Sequence, residues 1–303
     1  GDWLTPAGQT EFAQDPAFSF TSSYIPGYIE EKTGGSIKAD DVIMIALDNV
    51  RTGGPARVSE ILSQVTNRTV VGVNAVSMRD IEVFVLGLLK TEGKRFIFRT
   101  AASLLRALLG QEGRPLLTAS EMGADGEGGG LTIVGSYVPR TTGQLNHLLA
   151  NTTVTGIEVN VRNLLDSSQR ATEIQSIQAQ ISDLLSDGRD VVAYTSRELV
   201  AGESAEDSLT IGNIVSQALV EIASSLNARP KYLIAKGGNT SSQIATEALG
   251  VRRAWALGQV YPGVPVWRLG QESKYEDMAY VVFPGNVGGD DALTQVVNTL
   301  RSS

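Results

Sequence analysis

The chain has 303 residues, of which 42% are hydrophobic and 19% are charged, and its formal net charge is −8. This length allows two domains of ordinary size, each able to bury a core. Because nucleic-acid binding depends on clustered Lys and Arg, the acidic balance argues against a nucleic-acid partner. The lack of cysteine excludes disulfides and thiol catalysis, and the single histidine, His147, excludes a multi-histidine metal site.

The start of the chain is polar and rich in turn-forming residues. Residues 1–12 lack the basic and apolar regions of a signal peptide. No apolar run in the sequence approaches the roughly 18 residues that a membrane-spanning helix needs. We therefore expect a cytoplasmic protein without a membrane partner. An α/β domain usually opens on a strand, so the lead over residues 1–35 suggests that the chain begins partway through a domain.

Strand and helix patterns alternate in the first half of the chain. The sequence predicts strands at 42–47, 69–73 and 95–98, and helices at 55–65, 78–93 and 100–110. This alternation is typical of a parallel sheet with helical crossovers. Residues 111–130 contain six glycines and four acidic residues, and we interpret 116–130 as a linker.

The second half repeats the alternation. It predicts strands at 131–135, 152–159, 190–195, 231–235, 264–269 and 279–283, and helices at 170–188 and 211–226. The expected fold class is α/β, with two domains that each contain a mostly parallel sheet and flanking helices. The domain boundaries follow from the linker, at residues 1–115 and residues 131–303.

A glycine-rich break follows the strand predicted at 231–235 and precedes a helical pattern that ends at Gly250. Thr240 and Gln243 match a capping box, which would leave backbone amides near the positive end of the helix. In open α/β sheets, ligands bind beside the carboxyl ends of strands. The break is therefore either an anion-binding loop or a well-capped turn and nothing more.

A second break follows the strand predicted at 279–283, with a glycine-rich loop and then a helix for which Asp290 is a plausible N-cap. Asp290 and Asp291 would repel a bare phosphate. The loop either lines a nucleotide by close backbone approach, or its acids meet the nucleotide through Mg²⁺. The alternative is that the aspartates only cap the helix.

A third break places Gly135 and Ser136 at the end of a strand, with Arg140 in the first turns of the next helix. Arg140 is either a phosphate ligand or an exposed charge. His147 lies among leucines, which favours a packed or surface residue over a catalytic one. None of the breaks contains GxxxxGK[ST] or a full GxGxxG, so a standard P-loop kinase is disfavoured.

Five segments resemble, in order and approximate spacing, the four-carbon acid sugar kinases, a family formerly described as a domain of unknown function. They are GSYVPRTTGQLNHLL, YTSREL, AKGGNTSSQIA, LGQVYPGVPVWRLG and VFPGNVGGDDAL. The resemblance covers residues 130–303, and VNAVSMRDIEVFVLGLL and FRTAASLLRALLG extend it into the first half.

The resemblance implies a two-domain kinase that transfers the γ-phosphoryl group of ATP, with Mg²⁺, to a hydroxyl of a four-carbon sugar acid such as a tetronate. The C-terminal domain of that family holds the nucleotide. The matching motifs place these residues around ATP: Ser136, Gly237, Gly238, Asn239, Thr240, Gly285, Asn286 and Gly288. Asn239 stands where many members of the family carry Glu or Ile.

The N-terminal motifs of that family, Asp-Asp with Thr-Gly and Lys with Asp-Ser-Thr and Arg-Gly, are not found in this sequence. We therefore expect a chain that lacks the first part of the sugar-acid domain. Asp80 and Arg99 are candidates to bind the substrate hydroxyl and carboxylate, although a helix cap or an ion pair explains them equally well. The alternative function is a nucleotide-binding module without catalysis, or a degenerate relative. A homo-oligomer is compatible with either function.

Overall fold

The computed structural model describes residues 4–14, 19–124, 126–136, 138–198, 200 and 204–301. The chain forms two compact units, residues 1–113 and residues 114–303. Each combines parallel strands with helices, which confirms the predicted fold class. No helix within the described ranges is long and apolar enough to cross a membrane.

The first unit contains a small parallel sheet of two strands. Strands β1 (Ile43–Ile45) and β2 (Val71–Val73) pair with Ile43 opposite Val71. The helices are α1 (Ile25–Lys32), α2 (Leu47–Arg51), α3 (Gly54–Gln64), α4 (Met78–Leu89) and α5 (Ala102–Leu108). Short 3₁₀ turns occur at Ala7–Gln9, Glu11–Gln14 and Ala39–Asp41.

The core of the first unit lies where α3 packs on α4. Val58 and Leu62 on α3 are buried against the buried side chains of Phe84 and Leu88 on α4, and burying a side chain of this kind stabilises a fold by about 1.5–3 kcal/mol. A Cβ on Gly87 would stand 2.5 Å from the Cβ of Val58, so this glycine lets the two helices approach closely.

The strand predicted at 95–98 is wrong. Residues 94–100 have no regular structure, and Ile97 is fully exposed. Phe96 alone packs against the core of this unit. A short apolar run forms a strand only when a neighbouring strand takes up its backbone hydrogen bonds, and in the described part of this unit no strand pairs with it.

A sheet of seven strands organises the second unit. The strands are β3 (Leu131–Val134), β4 (Thr155–Val159), β5 (Val191–Thr195), β6 (Tyr232–Lys236), β7 (Ala254–Tyr261), β8 (Val264–Leu269) and β9 (Ala279–Phe283). Their order is β4-β5-β3-β6-β9-β8-β7. The first five in this order run parallel, whereas β8 is antiparallel to both β9 and β7.

Helices cover both faces of this sheet. They are α6 (Ala119–Met122), α7 (Pro139–Asn151), α8 (Val161–Leu165), α9 (Arg170–Ser186), α10 (Ala205–Ser224), α11 (Gly238–Gln243) and α12 (Ala292–Arg301), and a π-helical turn, Ile244–Ala248, continues α11. One apolar core joins the sheet to α8, α9, α10 and the π-helical turn. A second core joins the opposite face to α6, α7 and α12.

Most of the predicted linker, residues 116–130, packs within the second unit. Leu117 and Met122 are buried in its core, and the amide of Leu117 donates to the carbonyl of Gln259 at 2.8 Å. A Cβ on Gly130 would stand 2.0 Å from the ring of Tyr232. Part of the glycine signal that suggested a flexible linker therefore reflects close packing. Asp125, within the predicted linker, lies outside the described residues.

Candidate functional site

Three glycine-containing loops meet at the carboxyl ends of three neighbouring strands of the large sheet. Strands β3, β6 and β9 are neighbours and run parallel, so the loops that follow them, beginning at residues 135, 237 and 284, emerge at the same end of the strands. The amide of Gly237 donates to the carbonyl of Phe283 at 2.9 Å, which joins the second loop to the end of β9. The structure thus brings together the three breaks that the sequence showed separately.

The direction in which the chain adds strands to the sheet reverses between β3 and β6. From β3 the chain continues through α7 to β4, which lies to one side of β3 in the strand order. From β6 it continues through α11 to β7, β8 and β9, which lie in the opposite direction along the strand order. Helix α7 and the π-helical turn after α11 pack on opposite faces of the sheet, so the ends of β3 and β6 lie at a topological switch point. Such switch points are where open α/β sheets bind ligands.

The loop after β3 packs against the start of α11. A Cβ on Gly135 would stand 2.7 Å from Thr240 Oγ1, so the glycine permits this contact. The carbonyl of Ser136 accepts a hydrogen bond of 2.7 Å from Arg197 Nη1, at the end of β5. Arg197 therefore holds the backbone of Ser136 in position. Tyr137 lies outside the described residues.

The capping box predicted for Thr240 and Gln243 is wrong. Helix α11 begins at Gly238, directly after Gly237, whose φ of 114° is accessible chiefly to glycine. Thr240 is therefore already inside the helix, and no side chain caps its start. Gln243 instead accepts a hydrogen bond from the hydroxyl of Ser216. Gly250, with φ of 67°, ends the helical segment as expected.

Two glycines of the site have no internal packing role. A Cβ on Gly238 or on Gly285 would meet no protein atom within 4 Å, and neither residue has a positive φ. Asn239 and Asn286, beside them, are exposed. The space next to these two glycines is open, so a ligand can approach the backbone of both loops.

Helix α7 anchors the loop after β9. Arg140 Nη1 donates to the carbonyl of Gly288 at 2.9 Å, and Gln144 Nε2 donates to the carbonyls of Val287 and Gly289, both at 2.9 Å. Gly288 has φ of 81°, and a Cβ there would stand 2.3 Å from the Cβ of Ala292. The loop conformation is therefore specified by its own glycine and by two side chains of α7.

The two aspartates of this loop have different surroundings. Helix α12 begins at Ala292, so Asp291 and not the predicted Asp290 holds the N-cap position. Asp291 Oδ2 accepts a hydrogen bond of 2.6 Å from Gln295 Nε2. The Asp290 carboxylate lies against Gly143. Both aspartates are exposed, so both carboxylates are accessible to a cation that accompanies a ligand.

His147 packs between two helices. Its Nδ1 lies 2.8 Å from the hydroxyl of Thr294 on α12, and the ring is half-buried. This contact agrees with the expectation of a packed or surface residue.

The sequence analysis missed Lys236, the last residue of β6. Its side chain is fully buried, and Nζ lies 3.3 Å from the carbonyl of Pro284 and 4.4 Å from the centre of the Phe283 ring. Burial, together with the nearby charge of Arg140, lowers the pKa of Lys236 to about 8. The available signal was a charged residue at the end of an apolar run, directly before two glycines.

A polar cavity of 160 Å³ lies at the carboxyl ends of β4 and β5. It is lined by Glu158, Asn160, Arg162, Ser196, Arg197, Glu198 and Val200. Arg197 is half-buried, and burial lowers the pKa of its guanidinium. That group donates to the carbonyls of Thr195 and Ser136, so Arg197 links this cavity to the predicted nucleotide loop.

In the first unit, Asp80 makes the contacts of a structural residue. Its carboxylate accepts hydrogen bonds from Nε and Nη2 of Arg51, at 2.8 and 2.9 Å, and from the amides of Val76 and Ser77, at 3.0 and 2.9 Å. Ser77 is the N-cap of α4, and the two side chains form a capping box. The Arg51 guanidinium and these amides hold the pKa of the Asp80 carboxyl well below its usual range.

These contacts favour the structural explanation of Asp80 over the catalytic one. A carboxylate that already accepts four donors and resists protonation is a poor proton acceptor. Arg99 is exposed, and its Nη2 lies 3.4 Å from the hydroxyl of Tyr28. Its predicted contact with a substrate carboxylate stays a prediction.

Comparison with known protein families matches both units. Residues 3–108 match the model of a sugar-binding N-terminal domain, and residues 131–293 match the model of a nucleotide-binding C-terminal domain. The first match falls on the half that the sequence analysis assigned to a sugar-acid domain. The expectation that the earliest part of that domain is missing stays a prediction. No curated protein matches the chain.

Solved structures of two bacterial proteins share the fold. One is described as a putative tRNA synthase from Salmonella typhimurium LT2, with a TM-score of 0.63 and 16% identity over 95% of this chain and 66% of that one. The other is Haemophilus influenzae protein HI1011, described under DUF1537, with a TM-score of 0.60 and 16% identity over 97% of this chain and 68% of that one. This chain thus spans about two thirds of their length. From the two domain matches, the chain belongs to the family that pairs a sugar-binding N-terminal domain with a nucleotide-binding C-terminal domain.

Proposed function

We propose that this chain acts in an ATP-dependent kinase that phosphorylates a hydroxyl of a four-carbon sugar acid. The observation that carries the proposal is the open space beside Gly238 and Gly285, at a switch point of the sheet. Glycines that no internal contact requires, on adjacent loops, let a phosphate chain approach the backbone closely. The matches to a nucleotide-binding and a sugar-binding domain support the same reading.

The residues at the carboxyl ends of β3, β6 and β9 suit a nucleotide. Phosphoryl transfer depends mainly on positioning and on neutralising charge. Backbone amides of the loops after β6 and β9, with the hydroxyls of Ser136 and Thr240, are the proposed donors to phosphate oxygens. The Mg²⁺ that accompanies ATP neutralises phosphate charge when it is bound, and proteins hold it through one or two carboxylates. The exposed carboxylates of Asp290 and Asp291 are the proposed contacts.

The sugar acid is assigned to the first unit, because residues 3–108 match a sugar-binding domain. The exposed guanidinium of Arg99 is the proposed partner of the substrate carboxylate. Such a charge-assisted, bidentate contact is the usual way in which proteins recognise carboxylates.

Nucleotide binding is tested by thermal unfolding with and without millimolar Mg-ATP. A ligand that binds only the folded state raises the melting temperature by mass action. We expect a rise in the original protein and none in Gly238→Val, whose side chain would fill the space beside the loop. Gly126→Val is the matched control, since Gly126 also has open space and no positive φ. An unchanged melting temperature in the original protein would contradict the proposal.

A second candidate is a nucleotide-binding module without catalysis. The observation in its favour is the Asp80 carboxylate, which is already occupied by four donors. A coupled assay for ADP, with erythronate, threonate and oxo-tetronates, separates the two functions. ADP that forms only when an acid is present supports the kinase. A shift in melting temperature without acid-dependent ADP supports the module.

A further inference from the structure

The buried lysine at the end of β6 points to a further role. We propose that Lys236 is a positioning residue that supplies, from beneath the loops after β6 and β9, the positive charge that attracts the phosphate chain of the nucleotide. The inference rests on the proposed function and deepens it. Lys236 lies within the segment AKGGNTSSQIA, from which the resemblance assigns nucleotide contacts to Gly237, Gly238, Asn239 and Thr240 but none to the lysine.

Among the described residues, no negative charge compensates that of Lys236. Its side chain is fully buried, and Nζ contacts the carbonyl of Pro284 at 3.3 Å and the ring of Phe283 at 4.4 Å. None of the ion pairs within the described ranges includes it. A buried charge without an ionic partner lowers the stability of a fold. An apolar side chain would fill the same place without that cost, so the charge calls for another explanation.

The surroundings of Lys236 add further positive charge. Arg140, on α7, lies close enough to lower the pKa of Lys236 by repulsion. Helix α7 begins at Pro139, so its first turn adds the partial positive charge of a helix N-terminus. In that turn the hydroxyl of Thr141 is fully buried and has no hydrogen-bond partner in the described residues. Positive groups and a vacant hydrogen-bonding hydroxyl therefore share this part of the molecule.

The acidic groups of the neighbouring loop are Asp290 and Asp291, and both are exposed. Asp291 accepts a hydrogen bond from Gln295, and the Asp290 carboxylate lies against Gly143. His147, two turns along α7, is paired with Thr294. An anion that approaches the loops would therefore meet the field of Lys236 and Arg140 together with the exposed carboxylates of Asp290 and Asp291, whose repulsion the Mg²⁺ of a bound nucleotide would offset.

The position of Lys236 in the chain explains how a buried group can act on a ligand. It directly precedes Gly237, whose amide donates to the carbonyl of Phe283, and its own Nζ donates to the next carbonyl, that of Pro284. Lys236 thus contacts the start of the loop after β9 and directly precedes the loop after β6. Both positions lie beside the open space at Gly238 and Gly285. Its influence on a phosphate is exerted through the loop backbone and through its electric field.

A pH dependence follows from this arrangement. An anion near Lys236 favours its charged form and raises its pKa, and by linkage the charged form binds the anion more tightly. Since the pKa of Lys236 is about 8 without ligand, phosphate affinity should fall as the pH rises through that value. A phosphomonoester titrates at about pH 6 and a free polyphosphate at higher pH, so the difference between the original protein and Lys236→Met at each pH, from pH 7.5 to pH 9.5, isolates the lysine.

The experiment is calorimetric titration of the whole chain with ATP and, separately, with tripolyphosphate, over that pH range. We expect Lys236→Met to weaken both ligands about tenfold at pH 7.5 and to abolish the pH dependence. Lys236→Arg should keep the affinity and also lose the pH dependence, because arginine stays charged. Thermal unfolding of both variants verifies that they fold.

Lys274→Met is the matched control. Burial also lowers the pKa of Lys274, whose Nζ donates to carbonyls and lies 5.2 Å from the centre of the Tyr275 ring. It lies before β9, at the opposite end of that strand, so its replacement should leave both affinities unchanged. Unaltered affinity and pH dependence in Lys236→Met would overturn the inference.

The two ligands separate this inference from the proposed function. If ATP binds no more tightly than tripolyphosphate while both depend on Lys236, the charge assignment stands and nucleotide specificity fails. If ATP binds more tightly and Lys236→Met changes nothing, the nucleotide site stands and the role of Lys236 fails. If neither ligand binds the original protein, both are overturned.

Discussion

The Asp290 carboxylate lies directly against Gly143, so closely that a Cβ on the glycine would stand 2.6 Å from Oδ1. Gly143 is in the interior of α7, where glycine is less stable than alanine by about 1 kcal/mol. The contact explains why a glycine is useful there: it lets the loop after β9 rest on α7 with its aspartate close to the helix.

Gly143→Ala tests that contact. We expect the free energy of unfolding to stay the same or to rise by up to about 1 kcal/mol, because alanine favours the helix and the exposed Asp290 can turn away. Mg-ATP affinity should fall about threefold if Asp290 meets the cation of the nucleotide. Calorimetry with Mg-ATP measures this change. An equal loss with metal-free ATP would show that the loop backbone, and not the cation contact, had been disturbed.

Gly288→Ala and Gly285→Ala should differ sharply in stability. Gly288 has φ of 81°, and its Cβ would stand 2.3 Å from that of Ala292, so alanine should lower the free energy of unfolding by about 2–4 kcal/mol. Gly285 has open space and no positive φ, so alanine should change it by less than about 0.5 kcal/mol. Urea unfolding followed by tryptophan fluorescence measures the change, since two of the three tryptophans, Trp255 and Trp267, belong to this unit. Equal losses would contradict the loop geometry.

Lys236→Met should stabilise the second unit. Replacing a buried, unpaired ammonium with an apolar side chain of similar size should raise the free energy of unfolding by about 2 kcal/mol at pH 7. The pKa of Lys236 is about 8 in the folded state and about 10.4 in an unfolded chain, so the folded state releases its proton first. The original protein therefore gains stability as the pH rises from 8 towards 10.4, and the advantage of the variant shrinks.

The same urea unfolding measurements at pH 7, 8, 9 and 10 check this dependence. Comparing the original protein with Lys236→Met removes the contribution of the other titrating groups. An advantage that stays constant over this range would show that Lys236 keeps an ordinary pKa.

Asp80→Asn should destabilise the first unit. Asparagine keeps the shape but loses the ion pair with Arg51 and one of the acceptors at the start of α4, and we expect the melting temperature to fall by about 5 °C. The pKa of Asp80 is lowered in the folded state, so its stabilisation is complete above the unfolded value of about 3.9 and is lost as the pH falls further.

Thermal unfolding at pH 7, 5, 4 and 3 measures the difference between Asp80→Asn and the original protein. The difference should be constant from pH 7 to pH 5 and should shrink at pH 3. An Asp80→Asn variant that keeps its melting temperature but loses acid-dependent ADP formation would reverse our interpretation and support the catalytic role.

The elements that the sequence predicted well are those with strong local patterns. Strands β3, β6 and β9 are mostly apolar runs that a glycine or a proline follows, and buried parallel strands have this pattern. Strand β7 was missed because, at the edge of the sheet, its residues Ala254–Ala256 are exposed and alternate weakly. The run at 95–98 was predicted as a strand because its composition is right, although it has no partner.

The sequence by itself determined the fold class, the places where glycine loops interrupt strands and helices, and the absence of thiol chemistry, because these depend on composition and on short-range periodicity. Only the tertiary structure decided that the three loops meet, that Gly238 and Gly285 face open space while Gly288 does not, and that Lys236 is buried with no ionic partner in the described part of the chain. These features depend on which strands become neighbours. Strand pairing joins residues such as Val134 and Lys236, about a hundred positions apart, and no local pattern carries that information.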